Sequence, residues 1–185
     1  HEVYKKTVPA TNLQESSYLL KDTSSCNKLF RREFLIKNKI TFPEQTFFED
    51  VPFVSRAYLL SDKITIIPKI IYAYRGRKSS ETASVTQVVT PVKLHQCSLM
   101  FAMAIEHYEK EAEPETTYEL KKHALNKLCM QLKKITNPPD PDSAAVSAVH
   151  DLLQKCSPTT IIDFENTHAL PLLMIKYGYF QHASA

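Results

Sequence analysis

Apolar residues change their spacing several times along the chain, and each change marks an element. Between residues 31 and 38, Phe34 and Leu35 form the apolar side of a short helix. From 49 to 61, Phe53, Ala57 and Leu60 recur at helical spacing, and Pro52 is tolerated because first-turn N–H groups lack helical partners anyway. Residues 63–67 and 70–74 are β-branched and aromatic on either side of Pro68-Lys69, which predicts two short strands. The first 24 residues are mixed and polar apart from Tyr18-Leu19-Leu20, and read as loop. Residues 41–46 read as a turn around Pro43, and 76–86 as a polar loop.

From Pro91 the texture becomes helical. Residues 91–112 and 115–136 carry helical periodicity with charges between. Asn137-Pro138-Pro139-Asp140-Pro141 breaks it, and Asp142 or Ser143 caps a third helix running to about residue 155. Ser157-Pro158 is another break, and a last helix over 168–177 ends at Gly178, which suits a left-handed cap. No internal repeat is present. The expected organisation is a mixed part, 1–88, then a mostly helical tail, 89–185, giving an α+β class.

Composition narrows the functions open to such a chain. With 43% hydrophobic residues in 185, one domain or two small ones can bury a core. Gly76 and Gly178 are the only glycines, so neither a P-loop nor a dinucleotide fingerprint can be built. A net charge of +3 with interspersed signs does not argue for nucleic acid as a partner. Cys26, Cys97, Cys129 and Cys156 are widely spaced, which argues against zinc and for reduced, mostly buried thiols in the cytoplasm. There is no secretory signal pattern, and no apolar run approaches the ~20 residues of a membrane span. Residue 1 is His, which reads as an excerpt of a longer chain.

Two clusters carry candidate chemistry. Glu49-Asp50 precedes a helix, where free N–H groups and the macrodipole favour negative charge, so capping alone explains it. A carboxylate held there and aimed into a cleft can also take a proton from an attacking hydroxyl. Arg75-Gly76-Arg77-Lys78 is either a basic loop or a phosphate-binding fork. Lys28, Arg31 and Arg32 pair with nearby acids, contact an anionic ligand, or form a solvated face. His107 and His123 read as surface or half-buried, and Asp140-Pro141-Asp142 as a turn and helix cap despite its Asp-x-Asp spelling.

The order Asn27-Lys28-Leu29-Phe30-Arg31-Arg32, Phe42-Pro43, Glu49-Asp50-x-Pro52-Phe53, Lys63-Ile64-x-Ile66-Ile67-Pro68 and Tyr72-x-Tyr74-Arg75 resembles the C-terminal part of inverting family-2 glycosyltransferases. The pattern covers residues 25–87. More finely, Arg75-x-Arg77 and Ser84-Val85-Thr86-Gln87 are similar to bacterial teichoic-acid and capsule glycosyltransferase domains. The resemblance implies part of a GT-A-type α/β catalytic domain, with Asp50 as base and Glu49 beside it. It implies acceptor contacts from Asn27 and Lys28. Many relatives carry a His where this chain has Arg77, so Arg75 and Arg77 are expected at the donor diphosphate rather than at a metal.

The family's donor-binding strands and the Asp-x-Asp that holds Mg²⁺ or Mn²⁺ lie upstream, and the residues before Ser25 contain only Asp22. The resemblance therefore implies an acceptor-side portion, inactive without an upstream nucleotide-sugar-binding half, with a nucleotide-sugar donor and a saccharide or polyol-phosphate acceptor. Residues 170–178 resemble the closing segment of some teichoic-acid-type transferases. Lysine-bearing helices of the tail pack as core or touch the inner face of the membrane as a peripheral contact. The rival reading is a non-catalytic helical interaction module that keeps the signature as scaffold.

Overall fold

A computed structural model describes residues 5–73, 75, 88–135, 139–140, 143–156 and 160. In chain order these form β1 (Val8–Thr11), α1 (Arg32–Lys37), α2 (Asp50–Leu60), β2 (Ile64–Ile66), α3 (Pro91–Glu111), α4 (Pro114–Leu132) and α5 (Ala144–Lys155). A 3-10 turn spans Ser17–Lys21. Helix predominates and the strands form one two-stranded antiparallel sheet, so the class is α+β.

The chain divides into two compact units, His1–Tyr74 with Met103–Leu120, and Arg75–Ala102 with Lys121–Ala185. Helices α3 and α4 therefore each contribute a segment to both units.

The first unit is built around α2. Val51, Pro52, Phe53, Val54, Ser55, Ala57 and Tyr58 are all buried, which is more than one face of a helix. A helix apolar nearly all round belongs in a core. The buried Leu19 and Leu20 of the 3-10 turn and the α3 residues Ala104, Ile105 and Tyr108 complete the hydrophobic interior of this unit. Tyr108 is wholly buried, and its hydroxyl donates to the Ser55 carbonyl at 2.8 Å. Ser55 in turn donates its own hydroxyl to the Val51 carbonyl at 2.6 Å. At the α3–α4 turn the Thr117 hydroxyl donates to the Tyr108 carbonyl at 3.2 Å, and Pro114 opens α4, where its missing N–H leaves no gap. Arg56 pairs with Glu111 at 2.6 Å.

The second unit buries Leu94, Cys97 and Phe101 of α3, Leu125, Leu128 and Cys129 of α4, and Val149, Leu152 and Leu153 of α5. Helix α5 begins after Ser143, whose extended backbone takes the cap position, and Ser143 N–H donates to the Asp140 carbonyl in a turn. Asp140 thus serves the turn expected of it, while Asp142 lies outside the described residues.

Three expectations are corrected. The first 24 residues are not plain loop: they supply β1 and the 3-10 turn. The partner of β2 is β1. The register pairs Val8 with Ile66 and Thr11 with Ile64, so β1 carries one extra residue, and the Thr65 hydroxyl bonds the Pro9 carbonyl at that irregularity. Pro9 lacks an N–H, which suits an edge or bulge. Residues 70–73 form no strand: Ile70 and Ile71 are β-branched but exposed, and propensity without a pairing partner does not make a strand. His123 is buried rather than half-exposed, its ring edge-on to Phe101 at 5.6 Å. The helix expected over 168–177, the loop 76–86 and the segment 170–178 lie outside the described residues.

Candidate functional site

The segment Asp22–Lys28 folds back on itself through side chain–backbone bonds. Asp22 Oδ1 accepts the Ser24 N–H at 3.0 Å, an Asx turn that an aspartate two residues before the donor makes readily. Lys28 N–H bonds the Ser25 carbonyl at 3.1 Å. The tight bend turns the side chains of Asn27 and Lys28 toward Asp22. Asn27 Nδ2 donates to Asp22 Oδ2 at 2.7 Å, and its Oδ1 accepts from Lys28 Nζ at 2.8 Å. Lys28 Nζ also donates to the Ser24 carbonyl and lies 3.4 Å from Asp22 Oδ1.

The ion pair is largely enclosed, with the Lys28 and Asp22 side chains 9% and 10% exposed. Burial pushes the Lys28 ammonium below its ordinary pKa, against the opposing pull of Asp22 and, further down, Asp50. Tyr58 closes the inner side: its ring centre is 5.8 Å from Lys28 Nζ and its hydroxyl donates to the Asp22 carbonyl at 3.4 Å.

Asp50 opens α2 and is half-buried. Its Oδ1 accepts the Ser25 hydroxyl at 2.5 Å, tying the helix start to the Asp22–Lys28 bend. Its second oxygen has no protein hydrogen bond among the described residues. Glu49 takes the position before the helix with helical backbone angles (φ −55°, ψ −26°) and makes no side-chain cap bond. Neither carboxylate caps α2 through a backbone N–H, so capping by hydrogen bond does not account for the pair.

The approach to Asp50 is an aromatic loop. Lys39, Gln45 and Phe48 all have positive φ, at 52°, 54° and 64°. Left-handed backbone is uncommon for non-glycine residues and an outlier for a bulky one such as Phe48, two positions before Asp50. Phe42 stacks flat on Phe53, with centroids 3.8 Å apart and an 8° interplanar angle, and Phe30 meets Phe53 edge-on at 5.1 Å.

The structure thus brings Asn27, Lys28 and Asp50 into one neighbourhood, with Glu49 adjoining. Arg75 is exposed and belongs to the second unit, while Arg77 lies outside the described residues. Arg31 and Arg32 are exposed and make no ion pair among the described residues. Sequence reasoning missed Asp22, Ser25 and Tyr58. The local signal was Asp22-Thr23-Ser24, an Asx-turn spelling ahead of Asn27-Lys28.

A separate concavity of about 230 Å³ in the first unit is lined by Asn12, Gln14, Asp62, Glu111, Glu113 and Thr116 among others, and by none of the sequence-predicted site residues. Among the described residues no group of three or more His, Cys, Asp or Glu side chains is placed to hold a metal ion, and no helix is long and apolar enough to cross a membrane. All four cysteines are thiols, with Cys26 exposed and the other three buried. Compared with known proteins, the chain matches no family model, no curated protein and no solved structure.

Proposed function

We propose that this chain is the acceptor-side portion of an inverting glycosyltransferase of GT-A type, with Asp50 as the general base. One observation carries the reading: Asp50 is fixed through one oxygen by Ser25, while the other has no hydrogen-bond partner among the described residues. A carboxylate so held can accept a proton from an acceptor hydroxyl as that oxygen attacks the sugar carbon. In direct displacement the bond from the sugar carbon to the diphosphate breaks as the new bond to the acceptor oxygen forms. The proton goes to Asp50 and the electron pair leaves with the nucleoside diphosphate.

On this reading Asn27 and Lys28 shape the acceptor side more than they touch substrate. Their polar groups are already engaged with Asp22 and the Ser24 carbonyl. Arg75 and Arg77 are assigned to the departing diphosphate, where guanidinium groups match phosphate geometry. Mg²⁺ or Mn²⁺ would steady that leaving group. The Asp22–Lys28 cluster does not fit as its site, because the Lys28 ammonium is already paired with the Asp22 carboxylate. Metal and nucleotide contacts are assigned to a donor-binding half in the same protein, acting in the cytoplasm or at the inner membrane face.

A second reading has its own support. Leu29, Ile67, Ile70 and Ile71 are exposed at 97%, 56%, 95% and 63%, which suits a non-catalytic module that docks a partner. The two separate in one assay. The full-length protein is incubated with a panel of sugar nucleotides and Mn²⁺, nucleoside diphosphate release is followed, and the anomeric configuration of product is read by NMR. Release with inversion supports the transferase. Retention of configuration contradicts the single displacement, and inertness with every donor and acceptor favours the docking module.

A further inference from the structure

Phe42 is the feature of this corner that the catalytic assignment leaves unused. One face of its ring is covered by Phe53 in a flat stack, yet the residue remains 44% exposed. Exposure of a large aromatic costs the fold hydrophobic stabilisation. Phe53 also lies one helical turn after Asp50 on α2, where side chains three apart are neighbours at roughly 5–6 Å. The stacked Phe42 ring is therefore within about one sugar residue of the base. The loop that carries it is set firmly: three left-handed non-glycine residues lie in it, Ile40 N–H is tied to the Leu35 carbonyl at 2.9 Å, and Ile40 is buried.

We infer that Phe42 is the platform on which a neutral pyranose acceptor stacks, so that the acceptor is a saccharide rather than a polyol phosphate. The inference rests on the reading of Asp50 as base. A pyranose presents a flat C–H face to an aromatic ring while its hydroxyls stay free at the edge for a carboxylate. A polyol phosphate has no such face and carries negative charge. The carboxylates of this corner oppose it, since Asp22, Glu49 and Asp50 are acidic, and the Lys28 ammonium is already held by Asp22, Asn27 and the Ser24 carbonyl.

The test is saturation-transfer NMR on the full-length protein with methyl β-glucopyranoside, N-acetylglucosamine and a galactose disaccharide as neutral probes, and glycerol 3-phosphate as the polyol phosphate. Ring C–H protons of at least one pyranose should receive saturation. Phe42→Ala should weaken that binding about 5–10-fold. Phe42→Tyr should retain it, and glycerol 3-phosphate should give no signal. Amide spectra of both variants should overlay the parent's away from residues 39–53, because Phe42 is partly exposed. Unchanged affinity in a folded Phe42→Ala protein, no signal from any saccharide, or a stronger signal from glycerol 3-phosphate overturns the platform. Asp50→Asn separates this result from the catalytic reading, since it should keep sugar binding while losing turnover. If Asp50→Asn turns over normally but sugar binding still depends on Phe42, the base assignment falls and the platform stands.

Discussion

Replacing Tyr108 by Phe removes one oxygen from the middle of the first unit. The Tyr108 hydroxyl donates to the Ser55 carbonyl at 2.8 Å, and the side chain is wholly buried. The acceptor lies inside α2, so in the variant it keeps its helical amide partner and is not orphaned. The loss is therefore one net hydrogen bond, about 0.5–1.5 kcal/mol, rather than the larger cost of a stranded polar group. The small void left by the oxygen adds to it, for a total of about 1–2 kcal/mol. For a chain of this length that lowers the melting temperature by about 2–8 °C. Urea unfolding should show a lower midpoint at unchanged slope, because the surface exposed on unfolding does not change.

The pH dependence supplies a second readout of the same contact. Burial raises the Tyr108 phenol pKa, against a smaller opposing influence from Arg56. Above pH 10 the unfolded chain sheds this proton and the native state keeps it. The native state then binds more protons, so stability falls as pH rises through that range. Phenylalanine cannot titrate, so the gap between variant and parent should narrow above pH 10. A Phe variant as stable as the parent at neutral pH, or a gap that widens at high pH, would refute the anchoring role of this hydroxyl.

Other consequences follow from named contacts. Phe53→Ala removes the ring on which Phe42 stacks and Phe30 abuts, and should cost about 3–5 kcal/mol by chemical denaturation. Lys28→Met removes the cation paired with the enclosed Asp22 carboxylate, and should destabilise by about 2–4 kcal/mol, well beyond a surface ion pair. In the native protein a thiol reagent should label Cys26 quickly and the three buried cysteines only on unfolding. Burial pushes the Cys97 thiol up to about 12 and the Cys129 thiol to about 11. Both keep their protons above pH 9 where the unfolded chain loses them, so stability should fall as pH rises from about 9, and less steeply in Cys97→Ala.

Local chemistry was legible in the sequence wherever one element decided it. Helices α1 to α5 follow from apolar spacing, from Pro52 in a first turn, and from Ser143 at a cap. The pairing of β2 was not legible, because β-branched residues at 70–71 signal a strand as strongly as Val8–Thr11 does, and only long-range pairing chooses between them. The site divided in the same way. Glu49-Asp50 at a helix start and Asn27-Lys28 ahead of it stood out as motifs. That Ser25 ties Asp50 to the bend, and that Lys28 is committed to Asp22, are contacts whose geometry depends on how the bend folds. Phe42 read as part of a proline turn and of the signature, since spacing says nothing about which rings stay exposed.

In the proposed mechanism Asp50, steadied by Ser25, takes the acceptor's proton. Its most direct test compares turnover of the full-length protein with that of Asp50→Asn and Ser25→Ala under saturating donor. Asp50→Asn should lose roughly 10²-fold or more, the scale of a lost general base, with an unchanged melting temperature, and Ser25→Ala should lose less. Asp50→Asn turning over at the parent's rate would contradict it.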